Sequence, residues 1–338
     1  MRALLLLILS ATLLPAPAQQ RKVVIVGQSA EMVAALRDGS PSNVTIEHVT
    51  DRGAGDANLL EAVADAHAII GNPTLAVVEA AKNLQWVQIT SAGVKPYLHP
   101  QLVNSDVVMT NAQKLSSAAI ADHGFAMLLA LTRKLNRFIV ERPDETWRGG
   151  NYDLVELEGR TALVIGTGGI GSNVAQRAKA FGMTVIGVDP EEFPPRPSFD
   201  RMVYPDRLDQ VIPEADVTFV CAPHTKDSEG MVGPVQFERM KRGSYFIALS
   251  RGKVYDMPSL VKALDSKHIA GAGVDVTDPE PLPKGHPLWK FENAIITPHV
   301  ATQGLLGTKL RIEVYSENIA RFAAGEKLRN IVDMRKEY

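Results

Sequence analysis

The segment from Thr161 to Asp189 restricts the fold of this chain more than any other stretch. Leu163, Val164 and Ile165 form an apolar run like that of a strand covered on both faces, and Gly166-Thr-Gly168-Gly169-Ile170-Gly171 follows at once. The order strand, glycine turn, helix gives each glycine a task. Gly166 permits the tight turn, Gly168 lets the backbone approach a pyrophosphate, and Gly171 lets the helix pack close on the strand. Phosphates then rest on the unpaired N–H groups of the helix start, where the helix dipole favours negative charge. Val174, Ala178 and Phe181 share one face of that helix, Gly182 ends it, and a second apolar run, Met183–Val188, leads to Asp189. A carboxylate there accepts hydrogen bonds from both adenosine ribose hydroxyls and repels a 2′-phosphate. Glycine turns recur for structural reasons alone, but here strand, helix, second strand and acid accompany the glycines. We therefore read a dinucleotide site, with NAD preferred to NADP. Arg196, in the proline-rich loop that follows, is within reach of a phosphate, whereas Pro190 stands beside Asp189 where a phosphate-binding arginine would serve.

A chain of 338 residues suffices for two domains, each with its own core. A formal net charge of −2 gives no basic surface, so no nucleic-acid partner is expected. The first residues stand apart: Met1-Arg2, an apolar run from Ala3 to Leu14, then Pro15-Ala-Pro-Ala18. This is the pattern of a secretory signal cleaved after Ala18, and the expected location is periplasmic or secreted. An uncleaved membrane anchor ranks second, and a misassigned start codon with a cytoplasmic protein third. Cys221 is the only cysteine, which excludes an intrachain disulfide and a cysteine-based metal site, and no metal is expected. Its place in the apolar run Val217–Cys221 reads as a small buried residue.

From Arg21 onward, strand and helix patterns alternate. Val23–Val26, Val44–Val49, His67–Gly71 and Trp86–Thr90 read as strands, and Ala30–Leu36, Leu59–Ala66 and Val77–Ala81 as helices. Alternation of this kind builds a parallel sheet with helices on both faces. Ligands bind such sheets at the carboxyl ends of the strands, where the loop Ser91-Ala92-Gly93-Val94 follows the Trp86 strand. Its small residues are equally those of a plain turn. After a strand at Val107–Thr110, one long helix is expected from Ser116 to about Leu135, with Ile120, Met127, Leu128 and Leu131 buried. Asp122 and His123 lie within it as neighbours that do not face each other, and a structural role is assigned to both. Glu141–Asn151 reads as a surface connection. Further strands are expected at Val217–Cys221, Tyr245–Leu249, Ala270–Val276 and Ala294–Thr297. Three polar residues then follow strand ends: Arg251, Glu280 and His299.

With these motifs in order, the chain resembles the D-isomer-specific 2-hydroxyacid dehydrogenase family. The resemblance runs from the Ser91–Val94 loop to Val300-Ala301 and rests on Gly166–Gly171 with Asp189, Ser250-Arg251-Gly252, Asp275-Val-Thr-Asp-Pro-Glu280-Pro281 and Thr297-Pro-His299. It implies that Arg251, Glu280 and His299 form the catalytic set. Reducing a 2-oxo acid needs a hydride on the carbonyl carbon and a proton on its oxygen, and a histidine exchanges a proton near neutral pH. Glu280 would orient the His299 ring and balance its charge, and the guanidinium fork of Arg251 would hold the substrate carboxylate and polarise the carbonyl. Asp278 is a rival acid in the same loop. The resemblance further implies that the N–H groups of Ala92, Gly93 and Val94 help hold the carboxylate, that Gly169 and Ile170 face the pyrophosphate, and that Asp275 binds the nicotinamide carboxamide. Departures from the family pattern are Ala248 before the arginine segment, Gly169 where an arginine is common, and, in Asn111–Leu115, the lack of a glycine after the asparagine.

The expected architecture is α/β with two doubly wound parallel sheets. A Rossmann NAD-binding domain, residues 116–298, is inserted in a flavodoxin-like substrate domain of residues 21–115 and 299–338. The last helix, with Leu310, Val314, Ile319 and Phe322 on one face, must return to the first domain. The expected activity is hydride exchange between NAD(H) and a small D-2-hydroxy acid or 2-oxo acid, in a homodimer that uses the helix after Ser116. The alternative is an exported NAD-binding sensor without turnover. The related formate dehydrogenases fit less well, because formate oxidation has no need of histidine-assisted proton transfer.

Overall fold

The computed structural model describes residues 19–50, 56–147, 149–191 and 196–338, so the signal segment expected at Met1–Ala18 lies outside the described residues. Five strands, β1 (Arg21–Val26), β2 (Val44–Val49), β3 (Ala68–Ile70), β4 (Trp86–Gln88) and β5 (Val108–Thr110), form one sheet in the order β2-β1-β3-β4-β5. Seven more form a second: β6 (Thr161–Ile165), β7 (Thr184–Val188), β8 (Arg201–Val203), β9 (Val217–Val220), β10 (Tyr245–Ala248), β11 (Gly271–Val274) and β12 (Ala294–Ile296), in the order β12-β11-β10-β9-β6-β7-β8. Every pairing within both sheets is parallel.

The two-residue period of a strand decides which helices each side chain meets. Val23 and Ile25 of β1 face the helices Ala30–Asp38 and Leu305–Ala324, through Leu36, Val314, Tyr315 and Ile319. Val24, between them, faces the opposite layer with Leu59, Val63 and Val77. The second sheet repeats the scheme. Leu163 and Ile165 face Leu208, Phe237 and Leu260, and Ala162 and Val164 face Leu128, Val174 and Ala178. Each fully buried Leu, Val or Ile contributes about 1.5–3 kcal/mol, so both faces of each sheet hold their helices. The returning helix closes the first core by setting Phe322 5.4 Å from Trp86, whose indole N–H donates to Thr110 Oγ1 at 2.8 Å. Beyond it, Ile331 bridges to Thr110, and the segment runs on to touch both domains: Lys336 Nζ and Tyr338 Oη each lie 2.8 Å from Glu191 Oε1, and Glu337 lies 3.9 Å from Lys95.

Two features differ from the sequence expectation. The long helix spans Ser117–Thr132 and stops; Lys134 takes a left-handed φ of 58° and a separate helix, Leu135–Glu141, begins. Apolar spacing continues through Leu135 and Ile139, so the sequence reads as unbroken, but the carbonyl of Thr132 accepts from Val155 N instead of extending the helix. The edge strand β8 was not expected. It is largely exposed, and Asp200 beside it accepts from the β7 residue Val185, so neither alternation nor an apolar run marks it.

Candidate active site

In the second sheet the chain turns back between β6 and β9, and ligands of such sheets sit at that switch point. Gly166 there has φ +86°, and a Cβ on it would lie 2.5 Å from the Ala222 backbone at the end of β9. A Cβ on Gly171 would lie 2.0 Å from the Gly166 carbonyl oxygen, so the helix Gly169–Ala180 reaches the strand only because that atom is missing. Gly168 faces open space. These observations fit a pyrophosphate cradle, with the N–H groups of Gly169 and Ile170 at the free end of the helix. Asp189 ends β7 as expected. Its Oδ2 accepts from Thr167 N at 2.7 Å and from Thr167 Oγ1 at 3.0 Å, and its Oδ1 accepts from Glu191 N at 3.1 Å, so the carboxylate also braces the glycine turn. Arg196 donates to Thr167 O and Ser172 Oγ and lies against the same turn.

The strand ends β10, β11 and β12 bring the remaining residues to this side. His299 Nδ1 lies 2.9 Å from Glu280 Oε1, with both side chains partly exposed. His299 has φ +53°, and its backbone N–H donates to Asp275 O, so the ring is presented from a constrained turn. Arg251 does not hydrogen-bond this pair. Its Nη1 donates to Ser250 O, and its guanidinium covers Gly93 so closely that a Cβ there would lie 2.6 Å from Nη2. The Ser91–Val94 loop under it is clamped by Ser91 Oγ donating to Gly93 O and Asn111 Nδ2 donating to Ala92 O. Among the described residues the N–H groups of Ala92, Gly93 and Val94 donate to no acceptor. The guanidinium of one domain therefore meets a loop of the other whose N–H groups have no acceptor among the described residues, both of them donors suited to a carboxylate.

The model of the NAD-binding domain of D-isomer specific 2-hydroxyacid dehydrogenases matches residues 125–301, more than half of the chain. The chain belongs to that family. A glyoxylate reductase of Korarchaeum cryptofilum is 31% identical over 288 residues, covering 81% of this chain and 85% of the relative. A D-3-phosphoglycerate dehydrogenase of Archaeoglobus fulgidus is 31% identical over 76% of this chain, which spans about half (49%) of that relative's length. The crystal structure of a D-isomer specific 2-hydroxyacid dehydrogenase of Xanthobacter autotrophicus, in complex with NADPH and MES, superposes with a TM-score of 0.79 at 26% identity and covers 95% of this chain and all of that one.

Asp275 of this dehydrogenase is buried, and it is tied to the His299 segment: Oδ1 accepts from Thr297 Oγ1 at 2.7 Å and Val300 N at 3.0 Å, and Oδ2 from Ala301 N at 3.1 Å. Sequence reasoning missed His123 here. Its Nε2 lies 2.9 Å from Thr297 Oγ1 and 3.6 Å from Asp275 Oδ1. The Thr297 hydroxyl gives its one proton to Asp275, so His123 is the donor in that contact. Asp122 points elsewhere, to Arg177 at 2.7 Å. A second group without a sequence signal crosses the cleft: Lys95, next to Val94, lies 3.6 Å from Glu229, which also pairs with His224 at 2.8 Å. Their partners lie far apart in the chain, and only the fold could reveal them. Cys221 is buried, and burial pushes its thiol pKa up, which makes it an inert filler rather than a reactive group.

Proposed function

We propose that this chain is an NAD-dependent reductase of small 2-oxo acids, of the glyoxylate and hydroxypyruvate kind, forming the D-2-hydroxy acid. The observation that carries the reading is Arg251 packed over Gly93 of the Ala92–Val94 loop, with the His299–Glu280 pair following the neighbouring strands β11 and β12. Arg251 and those N–H groups hold the substrate carboxylate, and the close approach of Arg251 to Gly93 favours a short acid. With Nδ1–H donating to Glu280, the Nε2 of His299 is the nitrogen left to give a proton to the carbonyl oxygen, or to take one in oxidation. NADH, held at Gly166–Gly171 and Asp189, supplies the hydride when bound. Turnover of glyoxylate, hydroxypyruvate, pyruvate and bulkier 2-oxo acids with NADH and NADPH tests this; tight cofactor binding with no turnover of any of them would refute it. No observation favours a sensor that holds the cofactor idle.

For the cofactor, Asp189 supports NAD over NADP, because a 2′-phosphate would lie against its carboxylate. Asp189→Ala is expected to raise the NADPH-to-NADH ratio of kcat/KM about tenfold, the equivalent of one modest charge repulsion. An unchanged ratio would reject Asp189 as the discriminating residue.

A homodimer is also proposed, with a revised surface. The helix Ser117–Thr132 is packed into the core, so it leaves little for a partner, whereas Ile139, Val140 and Trp147 are 66%, 76% and 100% exposed. Large apolar side chains exposed this close together in the chain are candidates for a partner surface. Ile139→Lys together with Val140→Lys should halve the mass seen by light scattering, and a monomeric wild type would end the proposal. Export rests on Met1–Ala18 alone. An N-terminal mass that retains Met1 in the native protein would argue against cleavage after Ala18.

A further inference from the structure

We propose that Lys114 supplies the cation that neutralises the cofactor pyrophosphate, an inference that rests on the dinucleotide reading of Gly166–Gly171. That turn carries only Gly, Thr and Ile, so it has no positive side chain of its own. None can be placed at its helix-entry position either. A Cβ on Gly169 would lie 2.5 Å from Ser117 Oγ and 2.9 Å from Lys114 Cγ, so the stem of Lys114 occupies the space that a residue-169 side chain would need.

Lys114 reaches that place through a left-handed backbone, φ 70°, which a lysine adopts only against its ordinary preference. It is exposed, and among the described residues its ammonium has no partner. From Cγ the remaining stem spans about 4 Å, so the ammonium sweeps a shell that includes the free N–H groups at the start of the helix Gly169–Ala180. A helix end offers about half a positive charge, and a pyrophosphate brings two negative ones, so a mobile cation at this distance has an unmet charge to act on. The neighbouring cations are engaged. Arg196 is bonded to Thr167 and Ser172, Arg177 to Asp122 and Asn173, and Lys179 to Asp200. Lys114 lies between β5 of one sheet and the helix Ser117–Thr132 of the other, so its contact would also attach the cofactor to the crossing between domains.

The test is calorimetric binding of NADH, ADP-ribose and adenosine to the wild type, Lys114→Met, Lys114→Gly and Lys114→Arg, at low and moderate salt. Removing the ammonium is expected to weaken NADH and ADP-ribose about tenfold, the loss of one charge-assisted contact. Adenosine binding should stay unchanged, the salt dependence should flatten, and Lys114→Arg should restore most of the affinity. Lys114→Gly removes the charge with a residue suited to the left-handed backbone, so it separates the charge from any folding defect. Wild-type affinity in both the Met and Gly variants, or an equal loss for adenosine, would overturn the proposal and leave the dinucleotide site standing. A wild type that binds neither NADH nor ADP-ribose would overturn both.

Discussion

His299→Ala is expected to lower turnover of glyoxylate with NADH about a thousandfold while leaving the dissociation constant of NADH unchanged. The size follows from the role. A positioned general acid contributes about 10²–10⁴ in rate, and alanine leaves only water to protonate the carbonyl oxygen. The selectivity follows from the geometry. The His299 ring is fixed by Glu280 at 2.9 Å and by a backbone bond to Asp275, and neither contact involves the glycine turn that holds the dinucleotide. Glu280→Gln should fall between the two, because an amide still accepts from Nδ1–H but does not balance the charge of the ring. Stopped-flow transients of NADH oxidation, beside NADH fluorescence titration, separate the two quantities. Unchanged turnover in His299→Ala would remove the residue from the mechanism.

Arg251→Gln is the second large effect. Its guanidinium covers Gly93 of the Ala92–Val94 loop, and hydrogen bonds to charged groups are worth about 1.5–3 kcal/mol each. Losing a forked pair is expected to lower kcat/KM for glyoxylate about a thousandfold, with most of the loss in KM. A 2-oxo aldehyde, which lacks the carboxylate, should lose much less. Measured side by side, an equal loss for both compounds would reject the carboxylate role and leave Arg251 only as a polariser of the carbonyl.

The features read correctly from the sequence share one physical property: their meaning is local. Leu163–Ile165 and Met183–Val188 are strands covered on both faces, and such strands announce themselves as apolar runs closed by glycine or acid. Arg251, Glu280 and His299 each follow a strand of the second sheet, which is what makes them candidates, since in parallel sheets that end is where ligands lie. What was not legible depends on contacts between distant residues. His123 bonds Thr297, 174 positions away, and no spacing within its own helix points there. The stop after Thr132 is equally hidden, since the apolar spacing continues past it and the partner of its carbonyl, Val155, lies beyond a connection. Lys114 carries no signal of its own in the sequence; its positive φ and the crowding at Gly169 are properties of the fold.

The return of the helix Leu305–Ala324 to the first sheet bears on how the protein is made. Trp86 and Leu36 leave the ribosome early, but Tyr315, Ile319 and Phe322, which cover them, are translated only after the whole nucleotide-binding half. At typical synthesis rates the interval is roughly 10–50 s. Until then that face of the first sheet is covered only by the helix Ala30–Asp38, whereas by the end of the interval the second sheet has all of its strands. The half that grips the cofactor is therefore expected to be the first cooperative unit, and the half that selects the substrate is completed on it.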